Sequence, residues 1–172
     1  MLCVECEDRV MASCELCGRP TDAHDRHVRF RLPDPVLRSS DQDRAPGTWK
    51  TDEDPSAAVM MMVPELGAFV RALLPIHLTG GHTVTFGVWV GVHADDLNRA
   101  FDSWWAPEYV NLTLEGRLAN ALPSWQVFGA PVSLAVTDPD ATPICVASTD
   151  KALQSVLTRE WDHESVLAAL PG

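Results

Sequence analysis

The sequence has few basic residues. Its 172 residues include 13 lysines and arginines against 24 aspartates and glutamates, so the formal net charge is −11. The deficit is spread along the chain, with 8 basic and 12 acidic residues in positions 1–63 and 5 and 12 in positions 64–172. Binding to a nucleic-acid backbone or an anionic membrane surface needs clustered lysine and arginine, so the charge argues against both as partners. It favours solubility, and among partners a basic protein or a cationic ligand.

Long apolar runs are also lacking. No stretch approaches the 18 uninterrupted apolar residues of a membrane span. The first residues are acidic and cysteine-rich, where a secretory signal peptide has a basic start and an apolar run. We therefore predict a cytoplasmic protein with no membrane partner. In that compartment thiols stay reduced, and closely spaced cysteines more often bind metal or act in catalysis than form structural disulfides.

Several catalytic signatures are missing from the sequence. It contains no G-x-S-x-G, no phosphate-binding G-x-x-x-x-G-K, no H-E-x-x-H and no dinucleotide-binding fingerprint. We therefore assign no residue a catalytic or cofactor-binding role. His77, His82 and His93 flank one predicted hairpin, but a histidine at a strand end is more often solvated or hydrogen-bonded than a metal ligand.

Cysteines are concentrated at the N-terminus, where four of the five form two C-x-x-C pairs within 17 residues. The two-residue gap lets a tight turn direct both thiolates at one tetrahedral ion, and four thiolates make a closed structural zinc site. A redox pair is disfavoured because no βαβ context follows, while unmetallated thiols stay open as an interpretation. The predicted ligands of a structural zinc are Cys3, Cys6, Cys14 and Cys17, with His24 and His27 as alternative ligands.

The rest of the chain predicts an α+β fold: a mainly antiparallel sheet with helices packed on one side, preceded by an N-terminal Cys-rich, zinc-knuckle-like segment. We expect that segment over residues 1–27 and a single domain over residues 28–172. Alternation predicts a strand at 27–32 and a hairpin of 75–79 and 82–93 turned at Gly80 and Gly81. Further expected elements are a polar loop at 33–57, helices at 64–74 and 94–105, two later strands forming a hairpin with Cys145 buried, and two final helices capped by Asp150 and Asp162.

Other side chains carry weaker signals. Arg71 is expected on the exposed or boundary side of the first predicted helix, where an ion pair is favoured over anion binding. Five tryptophans suit a pocket or a partner interface, and core packing accounts for them equally well; they are Trp89, Trp104, Trp105, Trp125 and Trp161.

Five ordered stretches, SCELCG, FVRALLPIHL, FGVWVGV, EGRLANALP and TPICVASTDKALQSVL, resemble the landmarks of the bacterial family catalogued as domain of unknown function 2199. The resemblance extends from Ser13 to about Ala168 and implies no activity, substrate or catalytic residues. The matching positions are Cys14, Cys17, Gly18, Phe69, Arg71, Trp89, Gly116 and Pro123. The pair Cys3 and Cys6 departs from the family pattern, which has a further cysteine before FVR, so the extra pair is hypothesised to supply replacement ligands.

Together these observations predict a zinc-stabilised module that binds another protein or a small molecule, with catalysis undecided and a non-enzymatic role favoured. The first alternative is a metal-dependent enzyme that uses an open Cys/His site, since catalysis needs a coordination position for water. The second is an acidic, antitoxin-like partner of a basic protein.

Overall fold

The computed structural model describes residues 26–39 and 46–170. This part of the chain forms nine strands, four α-helices and two 3-10 turns. The strands are β1 (Arg26–Arg29), β2 (Trp49–Lys50), β3 (Met60–Val63), β4 (Gly67–Leu78), β5 (His82–Val92), β6 (Thr113–Leu118), β7 (Pro131–Ala135), β8 (Ile144–Ala147) and β9 (Glu160–Trp161). The helices are α1 (Asp34–Leu37), α2 (Ala94–Ser103), α3 (Lys151–Thr158) and α4 (His163–Ala168), and the 3-10 turns are Thr79–Gly81 and Pro107–Asn111.

The long antiparallel hairpin of β4 and β5 is the centre of the fold. Its register is continuous from Ala68 opposite Val92 to Leu78 opposite His82. The connection uses Gly80 and Gly81, whose φ angles of 80° and 78° are disfavoured for residues with a side chain. The predicted hairpin and its glycine turn are thus confirmed, although β4 begins well before the expected residue 75.

The predicted helix over residues 64–74 is wrong, because this segment belongs mainly to β4. Side chains of the strand alternate between two buried environments, so its apolar residues run almost continuously and coincide with helical spacing. Glu65, expected in the first turn of that helix, has φ 69° and lies in the turn between β3 and β4.

Pro75 was expected to end the helix but lies inside β4. The backbone N–H groups of Arg71 and Leu73 point away from β5, to the carbonyls of Val59 and Pro143. By alternation the Pro75 nitrogen faces the same way, between the single β8 pairing at Leu73 and the β9 pairing that begins at His77. Its missing donor is therefore not needed by a neighbouring strand.

The sheet closes into a small barrel, which the sequence did not predict. Strands β4 to β8 pair in antiparallel succession, and β8 returns to β4 through one parallel pairing, Leu73 with Ile144. Strand β1 lies parallel to β5, while β3 and β2 extend the sheet beyond β4. The main core includes Val70, Leu74 and Phe86, and helices α2, α3 and α4 contribute buried side chains to it. The coarse prediction of a mixed, mainly antiparallel α and β fold is confirmed.

A second core lies on the other face of the hairpin. It holds Phe69 from β4 and Trp89 from β5, covered by α1 through Val36 and by the segment around Met61. Both faces of β4 and β5 are therefore buried, and helix α1 does not share a core with the other three helices.

The two predicted N-caps, Asp150 and Asp162, are present in the structure. Asp150 accepts a hydrogen bond from the backbone of Leu153 at 2.9 Å, and Asp162 accepts one from Ser165 at 2.9 Å. Both predicted helix starts are confirmed, as is the burial of Cys145 in the β7–β8 hairpin.

Candidate functional site

An open cleft of about 350 Å³ lies between helix α2 and strands β2 and β3. Its lining is Trp49, Met62, Leu97, Asn98 and Phe101. The volume is at the lower end of the range for small-molecule sites, which are concave, mostly apolar and provided with few polar groups.

Local structure explains why these side chains meet. Trp49 and Met62 are direct partners in the β2–β3 ladder, so their side chains project from the same face of the sheet. Leu97 and Phe101 are four residues apart on α2 and therefore share one side of that helix. His93 starts the helix by accepting a hydrogen bond from the Asp95 backbone at 3.2 Å.

Two aromatic rings form one wall of the cleft. The centroids of Trp49 and Phe101 are 5.5 Å apart and their planes meet at 80°, an edge-to-face arrangement. Although they touch, Trp49 is 39% and Phe101 55% exposed. Neighbouring apolar side chains left in water around a concavity are typical of a binding surface.

The cleft lining carries no acid, base or nucleophile among the described residues. Asn98 contributes its only amide side chain, which can donate and accept hydrogen bonds, and the indole N–H of Trp49 is a further donor. The arrangement can bind and orient an apolar molecule, and it has no lining group that would transfer a proton or form a covalent intermediate.

Of the six predicted zinc ligands, the structure describes one, His27. Cys3, Cys6, Cys14, Cys17 and His24 lie outside the described residues. His27 lies in β1 and is exposed. Over residues 26–39 and 46–170, no group of three or more His, Cys, Asp or Glu side chains is placed to hold a metal ion.

The three hairpin histidines do not form a cluster. His82 begins β5 and His93 follows its last residue, so about ten residues at roughly 3.3 Å each separate them. His82 instead lies 5.9 Å, ring to ring, from His163, which the sequence did not single out. His163 is buried, and its Nδ1 is 2.6 Å from the Thr79 hydroxyl at the hairpin turn.

Arg71 is neither exposed nor helical, contrary to expectation. It lies in β4 with 0% exposure, and its guanidinium carbon is 4.1 Å from the Trp89 ring centroid. Its Nε donates to the Ala58 carbonyl at 3.3 Å, Nη2 to Pro55 at 2.9 Å, and Nη1 to Gly87 at 3.3 Å and to Phe30. Burial, and to a lesser extent Arg29, lowers the pKa of Arg71. These bonds use most of the donors of the guanidinium and leave few for an anion. Arg71 therefore has a structural role: it fastens chain segments to the hairpin, in the sense that its hydrogen bonds hold them in place.

Asn120 makes a second fastening on the same face. Its side-chain oxygen accepts a hydrogen bond from the Trp89 backbone at 2.7 Å, and its nitrogen donates to the Leu32 carbonyl at 2.9 Å and to Asp34 at 3.0 Å. Asp34 also accepts from the Ala121 backbone at 2.7 Å. The segment that leads into α1 is thereby held against β5.

The tryptophans proposed for a pocket do not line the cleft. Trp89 is in the second core, Trp104 and Trp105 pack on Tyr109, and Trp125 packs on Trp161 at 5.3 Å. The tryptophan that does line it is Trp49. The signal that could have found it is a large aromatic residue standing alone in a polar segment.

The fold and the cleft define a small mixed α and β barrel with an aromatic-walled concavity. The chain belongs to the bacterial family described as "Uncharacterized protein conserved in bacteria (DUF2199)", whose family model matches residues 13–160. The resemblance found from the sequence is thus confirmed, and the pair Cys3 and Cys6 precedes the matched range. No curated protein and no solved structure shows significant similarity to the chain. None of the helices in the described part of the chain is long and apolar enough to span a membrane.

Proposed function

We propose that this protein is a binding module that receives a small organic molecule in the cleft between α2 and the β2–β3 ladder. The observation that carries the proposal is the exposed aromatic pair, Trp49 and Phe101, at the wall of a concavity of about 350 Å³. Such a volume suits a ligand with one ring, whereas a docked helix or strand would need a longer groove.

The lining favours binding over catalysis. A catalytic site is expected to bring an acid, base or nucleophile within hydrogen-bonding distance of the reacting atoms. The described lining offers one amide, Asn98, which suits orientation of a ligand.

A titration with benzyl alcohol, followed through the tryptophan indole N–H signals in NMR, tests the proposal. The signal of Trp49 should shift with saturation, and the shift pattern should disappear in Phe101→Ala. The matched control is Phe128→Ala, since Phe128 is also an exposed phenylalanine, at 43%, but lies outside the cleft. Equal loss of binding in both variants, or shifts spread evenly over all six tryptophans, would contradict the proposal.

We also propose that a structural zinc ion is bound by Cys3, Cys6, Cys14 and Cys17, with His24 and His27 as alternative ligands. Support comes from the donor set, because two C-x-x-C pairs supply four soft thiolates to a tetrahedral ion. Zinc bound in this way would stabilise the N-terminal segment and contribute no step of catalysis.

Metal analysis of the purified protein tests the zinc proposal. One zinc per chain is expected, falling to well below one in Cys3→Ser/Cys6→Ser and unchanged in Cys145→Ala, whose thiol is buried near β4. Unchanged zinc in the double variant would show that the first pair supplies no ligands. A chain with fewer than four ligands and an exchangeable water on the metal would favour the enzyme alternative.

A further inference from the structure

Acidic side chains border the cleft on its helical side. Asp95, Asn98 and Asp102 are spaced three and four residues apart on α2, so they form one stripe along the helix. Asn98 lines the cleft, which places the two exposed carboxylates one turn to either side of the lining.

The basic residue of α2 does not neutralise this stripe. Arg99 donates to the Asp96 carboxylate at 3.2 Å and to the Thr113 carbonyl at 2.9 Å, so its guanidinium is directed to the start of β6. Asp102 has no ion-pair partner among the residues of the described ranges. The Asp95 carboxylate lies 3.6 Å from His93 Nδ1, an atom that accepts a hydrogen bond from the Asp95 backbone.

An acidic run also follows the cleft residue Trp49 in sequence, beyond the end of β2. Strand β2 ends at the half-buried Lys50, and after Thr51 the chain enters the exposed run Asp52, Glu53 and Asp54. Asp52 accepts a hydrogen bond from the Asp54 backbone at 2.9 Å, and Asp54 accepts one from Ser56 at 2.9 Å. These bonds shape the loop.

Aromatic faces and carboxylates together recognise one kind of ligand. The negative face of an indole or phenyl ring attracts an organic cation, and nearby acidic groups raise its local concentration. We propose that the ligand of the cleft is a small organic cation, an ammonium group on an apolar body, with the cation against Trp49 and Phe101. This inference rests on the proposed function and adds the charge of the ligand to it.

Three ligands of nearly equal size distinguish the effect of ligand charge on affinity from the effect of ligand shape: benzylammonium, benzyl alcohol and phenylacetate. Isothermal titration at pH 7 should show benzylammonium binding about tenfold more tightly than benzyl alcohol, which corresponds to one cation–π contact with its electrostatic support. Phenylacetate should bind more weakly than the alcohol. Raising ionic strength to about 1 M, where the Debye length is roughly 3 Å, should reduce the preference for the cation.

Asp102→Asn should lower the preference for benzylammonium over benzyl alcohol about threefold, since it removes one exposed charge beside the lining. The matched control is Glu164→Gln, which removes an exposed charge from α4, outside the cleft. Equal reduction in both variants would show a general charge effect and overturn the inference.

The outcomes for the charge and for the cleft are distinguishable. If benzyl alcohol binds as tightly as benzylammonium, the inferred cation is wrong and the binding cleft stands. If phenylacetate binds best, the inferred sign of the ligand's charge is wrong. If no ligand of the set perturbs Trp49, both the cleft and the cation are wrong. A lysine-containing peptide that binds far more tightly than benzylammonium would overturn the small-molecule assignment in favour of a protein partner.

Discussion

Replacing the buried arginine by a side chain of similar length but no donors, Arg71→Met, should destabilise the protein strongly. Arg71 donates to carbonyl oxygens of Phe30, Pro55, Ala58 and Gly87. Gly87 also accepts from the Phe30 backbone at 3.0 Å, so it keeps a partner in the variant. The other three carbonyls accept no further hydrogen bond from the described residues.

The magnitude follows from those three carbonyls. A buried acceptor left without a donor costs about 1–3 kcal/mol, and the lower end applies because water can enter the space vacated by the guanidinium. Loss of the contact with Trp89 adds about 1–2 kcal/mol. Removal of a buried charge that has no described carboxylate partner offsets part of the loss. The expected net effect is about 3 kcal/mol, which for 150–250 residues lowers Tm by roughly 6–12 °C.

Urea unfolding monitored by circular dichroism and by tryptophan fluorescence measures the effect. Arg99→Met is the matched control, because Arg99 is exposed and its guanidinium bonds, among the described residues, only to Asp96 and Thr113, so its loss should cost below about 1 kcal/mol. Arg71→Lys should lose nearly as much as Arg71→Met, since one ammonium group cannot reach acceptors arranged around a planar fork. A loss below about 1 kcal/mol in Arg71→Met, or full rescue by lysine, would refute the fastening role.

Two further predictions concern close packing and burial. Gly116→Ala should cost about 3 kcal/mol, because its Cβ would collide with the Gly91 carbonyl and lie 2.6 Å from a Val90 methyl; Gly91→Ala, whose nearest neighbour would be at 3.7 Å, should cost far less, and equal losses in urea unfolding would contradict this. Burial raises the pKa of Cys145 to about 12. In a variant with the other cysteines changed to serine, the rate at which iodoacetamide alkylates Cys145 in the folded protein should therefore rise little between about pH 7 and 9. In the unfolded protein, where the thiol has a pKa near 8.5, the rate should increase over the same range. Because the unfolded chain loses this proton first, stability should fall as pH rises from about 8.5 towards 12, and a native rate that follows an ordinary thiol pKa would disprove the burial.

The elements that the sequence predicts correctly are those with one dominant local signal. The hairpin turn has two glycines, β5 alternates over its whole length, and the last two helices begin at aspartate caps. The first half of β4 lacks such a signal because it is buried on both faces. Val70 and Leu74 belong to the main core and Phe69 to the second core, so the sequence shows continuous apolar character that fits a helix equally well.

The cleft could not be predicted, because its residues meet only through tertiary structure. Trp49 and Phe101 are more than fifty residues apart in sequence and touch only when the β2–β3 ladder lies against α2. The sequence pattern assigns Leu97 and Phe101 to the same apolar face of a helix, yet Leu97 is 3% and Phe101 55% exposed. Amphipathic spacing identifies the side of a helix that faces the sheet but not where the sheet ends beneath it.

The positions on which the family resemblance rests explain the scaffold and not the ligand. Phe69, Arg71 and Trp89 lie together on the second face of the hairpin. Phe69 buries its ring there, and Trp89 stacks on the guanidinium of Arg71, which holds neighbouring backbone segments in place. Gly116 lies in β6 where a Cβ would meet the Gly91 carbonyl and Val90 of β5, so a side chain there would force the two strands apart. None of these positions lines the cleft. These family positions therefore support the barrel of this chain, while the choice of ligand rests on Trp49, Phe101 and the acidic residues beside them, and must be tested on those side chains.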